Sequence, residues 1–407
     1  MWNTVRLWIK DRYHRIVNSI AFYPALIGVG FLVLSFLMIT FDFSDQGKQI
    51  KSRFKFFSLN DPSTARSIIS AIAAGIISLA VFSFSMVMIV LNQAASQMSN
   101  RVLDKLIGNR FQQVVLGIYI GTIVYAFFLL STIRDIDSGI YIPALSTYLL
   151  ILLTILDIFL FIYFLHYITQ SVKYEVIVER IYKDTREALE HSCCLKNEPP
   201  ASVPLRSDYY ILSVRSGIYE DFDKDTFIKL GDAYDCVFSI LQTPGTFVLK
   251  GLPLVKVSRE LPEDVHKKVV RGLYVHTTES IESNFFYGFR QLMEVAVKAL
   301  SPGVNDPGTA VVSLRALFQL FAYRACSYPE NILKNKDERV RVVVNPLTFE
   351  KIFTDTMLPI WDYGKKDRMI QHELLHLLEQ LQTFTSYPCV KQLYQQVRTE
   401  LEKHELK

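Results

Sequence analysis

Glutamate is missing from the first 170 residues of this 407-residue chain. That part holds 13 Lys+Arg and 8 Asp, whereas residues 171–407 hold 31 Lys+Arg and 32 Asp+Glu. The net charge of +4 is thus +5 in the first part and −1 in the second. A basic excess beside apolar segments suits contact with anionic lipid headgroups. The second part has no basic bias, which argues against nucleic acid as a partner. Cysteine is scarce as well. The five residues (193, 194, 236, 326 and 389) all lie in the second part, and none has metal-ligand spacing. They read as free thiols in a reducing compartment rather than as a disulfide framework. Also absent are a Walker motif, a GxGxxG run in a βαβ setting and a nucleophile elbow. Their absence lowers the case for most enzyme classes. There is no internal repeat and no low-complexity tract.

The most telling absence is of charge between Ser67 and Asn100, a run of 34 residues. As a helix it would be about 51 Å long, against a hydrocarbon core of about 30 Å. It is long enough to cross a membrane and continue. On it, Ser67, Ser78, Ser85, Asn92 and Ser96 fall within about 40° of one another at 100° per residue. A narrow polar stripe on an apolar helix faces protein or water, because lipid satisfies no hydrogen bonds. Hydroxyls and an amide can replace part of an ion's hydration shell without trapping it. Small polar residues also let helices approach closely, so helix packing explains the same stripe. Bulky Phe82, Phe84, Met86 and Met88 surround its centre and would suit a narrow neck.

Three further apolar runs accompany it: Ile16 to Phe41, Phe111 to Ile133, and Tyr141 to Ile168. The first is too long for a signal-peptide core. The last is interrupted by Asp157, an intramembrane carboxylate that is either functional or hydrogen-bonded to a neighbouring helix. Nine residues separate Asp157 from His166, which places them on opposite faces of the helix. Residues 42–66 read as a mixed-charge loop ending in a helix-start signal, Asn60-Asp61-Pro62-Ser63. Residues 134–139 read as a short turn. Four spans put both termini on one side. Arg6, Lys10, Arg12, Arg15 and the 101–110 loop would then share the cytoplasm with everything after residue 170. The basic residues of the 42–66 loop run against that rule.

Beyond the spans, residues 172–192 read as a charged amphipathic helix, ended by Asn197-Glu198-Pro199-Pro200. Residues 203–260 look β-rich, with Thr243 to Leu254 in the rhythm of a hairpin from a small barrel. Arg339 to Val344 suits one more strand, and the rest is mainly helical. Ser301-Pro302-Gly303-Val304-Asn305-Asp306-Pro307-Gly308 joins two helices, with Asp306 at an N-cap and Pro307 at the first helical position. With Arg290 nearby in sequence, this turn is either a regulatory anion or nucleotide site or a capped turn. His372-Glu373-Leu374-Leu375-His376 has the HExxH form, two imidazoles one turn apart with Glu373 as a base for zinc-bound water. A third ligand would be Glu400 or Glu402. Leu374, Leu375, Leu378 and Leu381 equally make an ordinary amphipathic stripe.

Two stretches carry a family resemblance: FSFSMVMIVLNQAASQMSNRVL (82–103) with VVLGIYIGTIVYAF (114–127), and FYGFRQLMEVAVKALSPGVNDPGTAVVSLRAL (286–317). The chain resembles an uncharacterised family of bacterial membrane proteins, domain of unknown function 2254, over nearly its whole length. The resemblance implies a multi-span membrane protein with a soluble C-terminal domain, and it implies no activity. Two departures stand out. Where the family pattern has an Arg and an Asp, this chain has His276-Thr277-Thr278 and Ser283-Asn284.

The expected fold is an α-helical membrane domain with four transmembrane helices, plus a cytosolic α+β domain. The spans are expected over 17–41, 67–96, 111–133 and 141–168, within a membrane domain of residues 1–170. An amphipathic connector (171–200), a β-rich barrel-like subdomain (201–260) and a helical subdomain (261–407) follow. The expected setting is the bacterial inner membrane, with both termini cytoplasmic. The expected function is an oligomeric channel or conduit for ions, lined by the second helix and regulated by the cytosolic domain. A membrane-bound zinc metallopeptidase and a non-catalytic scaffold or sensor are the alternatives. The lipid bilayer and further copies of the chain are the expected partners, with no cofactor.

Overall fold

The computed structural model describes residues 21–53, 61–97, 110–136, 139–171, 173–196, 209–276, 281 and 284–405. The basic N-terminal residues, the 101–109 segment and the Asn197–Pro200 stop signal lie outside them. The chain divides into two compact units, one ending at Lys173 and one running from Tyr174.

Among the described residues, the first unit contains four helices long and apolar enough to cross a membrane: α1 (Phe22–Phe43), α3 (Pro62–Gln97), α4 (Arg110–Thr132) and α5 (Ala144–Ser171). The second of them starts at Pro62, five residues before the charge-free run. Asp61 explains the early start, because its carboxylate accepts from the Ser63 and Thr64 N–H groups and from both hydroxyls. These bonds hold the Asp61 carboxyl well below the usual carboxylate range. The polar 42–66 segment is not simply a loop, since Asp45–Arg53 forms a short helix, α2. Within the stretch read as a 134–139 turn, β1 (Arg134–Ile136) pairs antiparallel with β2 (Gly139–Tyr141).

Close approach between α1 and α4 depends on two glycines four residues apart. A Cβ at Gly117 would sit 2.7 Å from Ile27, and one at Gly121 would sit 2.6 Å from the Phe31 ring. This is the small-xxx-small device by which membrane helices gain van der Waals contact without a hydrophobic driving force. At the far end of α1, Asp42 is fully buried. Its carboxylate accepts from Lys51 Nζ on α2 at 2.7 Å and from the Ser146 N–H at the start of α5 at 2.9 Å. One aspartate thus ties three helices together.

The second unit opens with α6 (Tyr174–Ser192) and holds two open sheets and a helical layer. The five-stranded sheet has the order β11-β12-β6-β8-β4, from Ile332–Lys334, Val340–Val343, Phe238–Ile240, Pro253–Val257 and Tyr209–Leu212. The three-stranded sheet has β5 (Gly217–Phe222) between β7 (Thr246–Val248) and β9 (Leu273–His276). No closed barrel forms. The Thr243–Leu254 stretch is not a hairpin either, since β7 and β8 pair into different sheets. Helices α7 (Lys224–Ala233) and α8 (Glu263–Arg271) belong with the sheets. A two-stranded ladder pairs β3 (Leu195–Lys196) with β10 (Ser327–Tyr328). The helical layer is α9 (Phe286–Ala299), α10 (Pro307–Cys326), α11 (Phe349–Gly364), α12 (Arg368–Gln382) and α13 (Pro388–Glu405). Its centre is a cluster of fully buried rings, Phe289, Phe321, Phe349 and Phe353. The cysteines carry free thiols.

Candidate functional site

The stripe on α3 lies on the side of the helix that its own bundle leaves open. Ala65, Ile69, Ala73, Ile76 and Ser83 are buried against the other helices of the first unit. Ser67, Ser78, Ser85 and Asn92 are exposed. At 100° per residue the two sets are about half a turn apart. Packing within the chain therefore does not account for the stripe. The side chain of Ser96 lies outside the described residues. Ser78 and Ser85 donate their hydroxyl protons to the carbonyls one turn back, Ala74 at 2.9 Å and Val81 at 2.8 Å. That leaves oxygen lone pairs, not protons, directed away from the bundle. Phe82, Phe84 and Met88 flank them and are also exposed.

A second polar group sits inside the bundle. Asp157, at the middle of α5, is fully buried, while His166 is exposed near the end of the same helix. The structure does not bring the two together. It brings Thr122 of α4 to Asp157, sets Tyr119 one turn away on the same face of α4 within electrostatic range of the carboxyl, and brings Ser83 of α3 to the Tyr119 hydroxyl. No hydrogen bond of ordinary geometry reaches either Asp157 oxygen or the hydroxyls of Tyr119, Thr122 and Ser83. These companions are spread over two other helices. The polar residues inside the third apolar run, at i and i+3, are the trace they leave in the sequence.

In the second unit, Asp306 caps α10. Its carboxylate accepts from the Thr309 N–H at 3.1 Å and the Thr309 hydroxyl at 2.6 Å. Asn305 precedes it in the left-handed region, with φ 48°, a conformation that asparagine tolerates better than most residues. The protein's own carboxylate thus occupies the place an anion would take at this helix start. Arg290 is half-buried on α9. Asp306→Ala is expected to cost about 0.5–2 kcal/mol of stability in this unit. Unchanged melting of the unit would show that the carboxylate is not acting as a cap.

The HELLH string lies on α12 with its leucines inward and both histidines exposed. Glu373 is clamped by Arg315 of α10, with Nε to Oε1 at 2.7 Å and Nη2 to Oε2 at 3.1 Å. His376 Nε2 is bonded to Gln380 at 2.7 Å. The two residues proposed as third ligands lie in ion pairs, Glu400 with Lys403 and Glu402 with Arg398. Among the described residues, no three His, Cys, Asp or Glu side chains converge as a metal site would need. A base held in a bidentate arginine pair is poorly placed to take a proton from water.

A family model for predicted membrane proteins, DUF2254, matches residues 17–380 and so covers all four apolar helices and most of the second unit. The chain belongs to the DUF2254 family. Similar proteins are an uncharacterized protein of Mycobacterium bovis and two of Mycobacterium tuberculosis. Each is 25% identical over 338 residues, a match covering 78% of this chain and 63% of the relative. The match therefore spans less than two thirds of the relatives' length. No solved structure matches. At the two places expected to depart from the family pattern, His276 is exposed at the end of β9 and Asn284 is buried before α9. Asn284 Oδ1 accepts from the Phe286 N–H at 3.0 Å, so it keeps an acceptor that an aspartate would also offer. Thr277, Thr278 and Ser283 lie outside the described residues.

Proposed function

We propose that this DUF2254 protein is an oligomeric conduit of the bacterial inner membrane, lined by α3 and regulated by the second unit. The observation that carries this reading is the exposure of Ser67, Ser78, Ser85 and Asn92 on the face of α3 that the chain's own helices leave uncovered. In a bilayer such a face is satisfied by a second copy of the chain or by water. A ring of copies around a shared axis supplies both. Ser78 and Ser85 then present acceptor oxygens to the path, which favours a cation over an anion. Both termini would be cytoplasmic, with the basic segments beside the spans on that side. The peptidase alternative is weakened by the engagement of Glu373 with Arg315.

Cysteine reactivity tests the conduit, in a background lacking the five native thiols. Cysteines placed at 78, 85 and 92 should react with water-soluble thiol reagents, and reaction should block ion flux in liposomes. Cysteines at half-buried Ala80 and Val87 should stay inert. Inertness at 78, 85 and 92 in folded protein, or a monomer in nanodiscs, would remove the conduit and leave a scaffold or sensor.

A further inference from the structure

Asp157 poses a problem of charge. Its carboxyl is fully excluded from solvent, and both oxygens lack a hydrogen-bond partner. An ionised carboxylate is tolerated away from water only when a cation or several donors face it. The groups around it supply no cation and only hydroxyls as donors. From α4 come Tyr119 and Thr122, both uncharged. From α3 comes Ser83, and that helix carries no charged side chain after Arg66. The titratable groups of α1 are Tyr23 and Asp42. Asp42 is tied to Ser146, about 16 Å away from Asp157 along α5 by helical rise. On α5 itself, His166 points to the other side of the helix. A proton neutralises the carboxyl without needing any room.

We propose that Asp157 is a proton-binding site at the centre of the membrane unit, and that Tyr119 and Ser83 form its route to solvent. Ser83 faces Tyr119 on one side and lines a cavity of about 180 Å3 on the other. Gln112 and Gln113, near the start of α4, line the same cavity, and its remaining walls are apolar side chains of α3, α4 and α5. The Gln113 Oε1 is buried and without a partner. Two amides and a hydroxyl are the number of polar partners a buried water requires. Gln113 lies about 9 Å from Tyr119 along the helix. A proton leaving Asp157 is taken up by the Tyr119 oxygen as that hydroxyl releases its own proton to Ser83. Ser83 does the same toward water in the cavity. One positive charge moves outward, Asp157 is left as carboxylate, and both hydroxyls end as they began.

The test is infrared spectroscopy of the full chain in nanodiscs. The wild-type protein should show a protonated-carboxyl C=O band at neutral pH. That band should be lost in Asp157→Asn and displaced in Asp157→Glu. Transfer to heavy water should shift the band, and the shift should be slower in Tyr119→Phe and Ser83→Ala. Superimposable carboxyl regions for wild type and Asp157→Asn would overturn the proton site. If Asp157→Asn does not fold, an undisplaced band in Asp157→Glu has the same meaning. Exchange as fast in Tyr119→Phe as in wild type would overturn the route. None of these readouts involves ion flux, so this proposal and the conduit on α3 stand or fall separately.

Discussion

Lys51→Met is expected to destabilise the membrane unit by about 3–5 kcal/mol, the usual loss when one partner of a buried ion pair is removed. Asp42 has a side-chain exposure of 0% and Lys51 of 20%, with 2.7 Å between Nζ and Oδ1. Lys51 also donates to the Asp42 carbonyl at 2.9 Å. Without the ammonium, the carboxylate keeps the Ser146 N–H as its hydrogen-bond donor among the described residues, too little for a charge cut off from water. The double variant Asp42→Asn/Lys51→Met should recover much of the loss, because it removes both charges together. Denaturant titration of the full chain in detergent gives the measurement. A loss under about 1 kcal/mol for Lys51→Met would place the pair among exposed salt bridges. It would also remove Asp42 as the tie between α1, α2 and α5.

That tie shows what the sequence does and does not reveal. The four apolar helices were legible because charge is excluded from hydrocarbon, so each leaves a long gap in the charge pattern. Helix α2 was not. Its residues, DQGKQIKSR, have no apolar face to announce a helix, and it is fixed instead by Lys51 reaching back to Asp42. Gly47 belongs to the same turn, since a Cβ there would run into the Phe41 carbonyl. In the second unit, strand composition was legible and pairing was not. β12 joins β6 in parallel, Val342 beside Phe238, across more than a hundred residues of chain. A local hairpin rhythm in Thr243–Leu254 cannot register a partner that distant, and this is why a barrel was expected where two open sheets form.

The candidate sites divide along the same line. The stripe on α3 is periodic within one helix, so its angular grouping follows from the sequence alone. Which way that face points depends on where Ala65, Ile69 and Ile76 pack, and only the assembled bundle decides it. Asp157 stood out as an acid in an apolar run, but Tyr119, Thr122 and Ser83 become its neighbours only when α3, α4 and α5 assemble. The HELLH string shows the opposite case, a short local pattern open to two readings. A short pattern suggested a metal, and Arg315, 58 residues away in the chain, binds the residue that pattern required as a base.

Gly288→Ala is the other large effect to expect, and two opposed contributions decide its sign. Alanine is the better helix former by about 1 kcal/mol in a helix interior, and Gly288 lies inside α9. Against this, a Cβ at Gly288 would overlap Thr185 Oγ1 and lie 2.7 Å from Thr185 Cβ on α6. Thr185 cannot swing away easily, because it is β-branched, fully buried, and donates its hydroxyl to the Ile181 carbonyl at 2.5 Å. The helices α6 and α9 would have to separate, at a cost typical of an overpacked core, about 1–3 kcal/mol or more. The clash outweighs the propensity, so the second unit should melt at lower temperature in the variant. Thr185→Ala should restore part of the loss in the Gly288→Ala background. The restoration should stay incomplete, since the Thr185 Cβ is itself too near. A variant as stable as the wild type, or more stable by the propensity difference, would mean that α6 and α9 do not meet at this glycine.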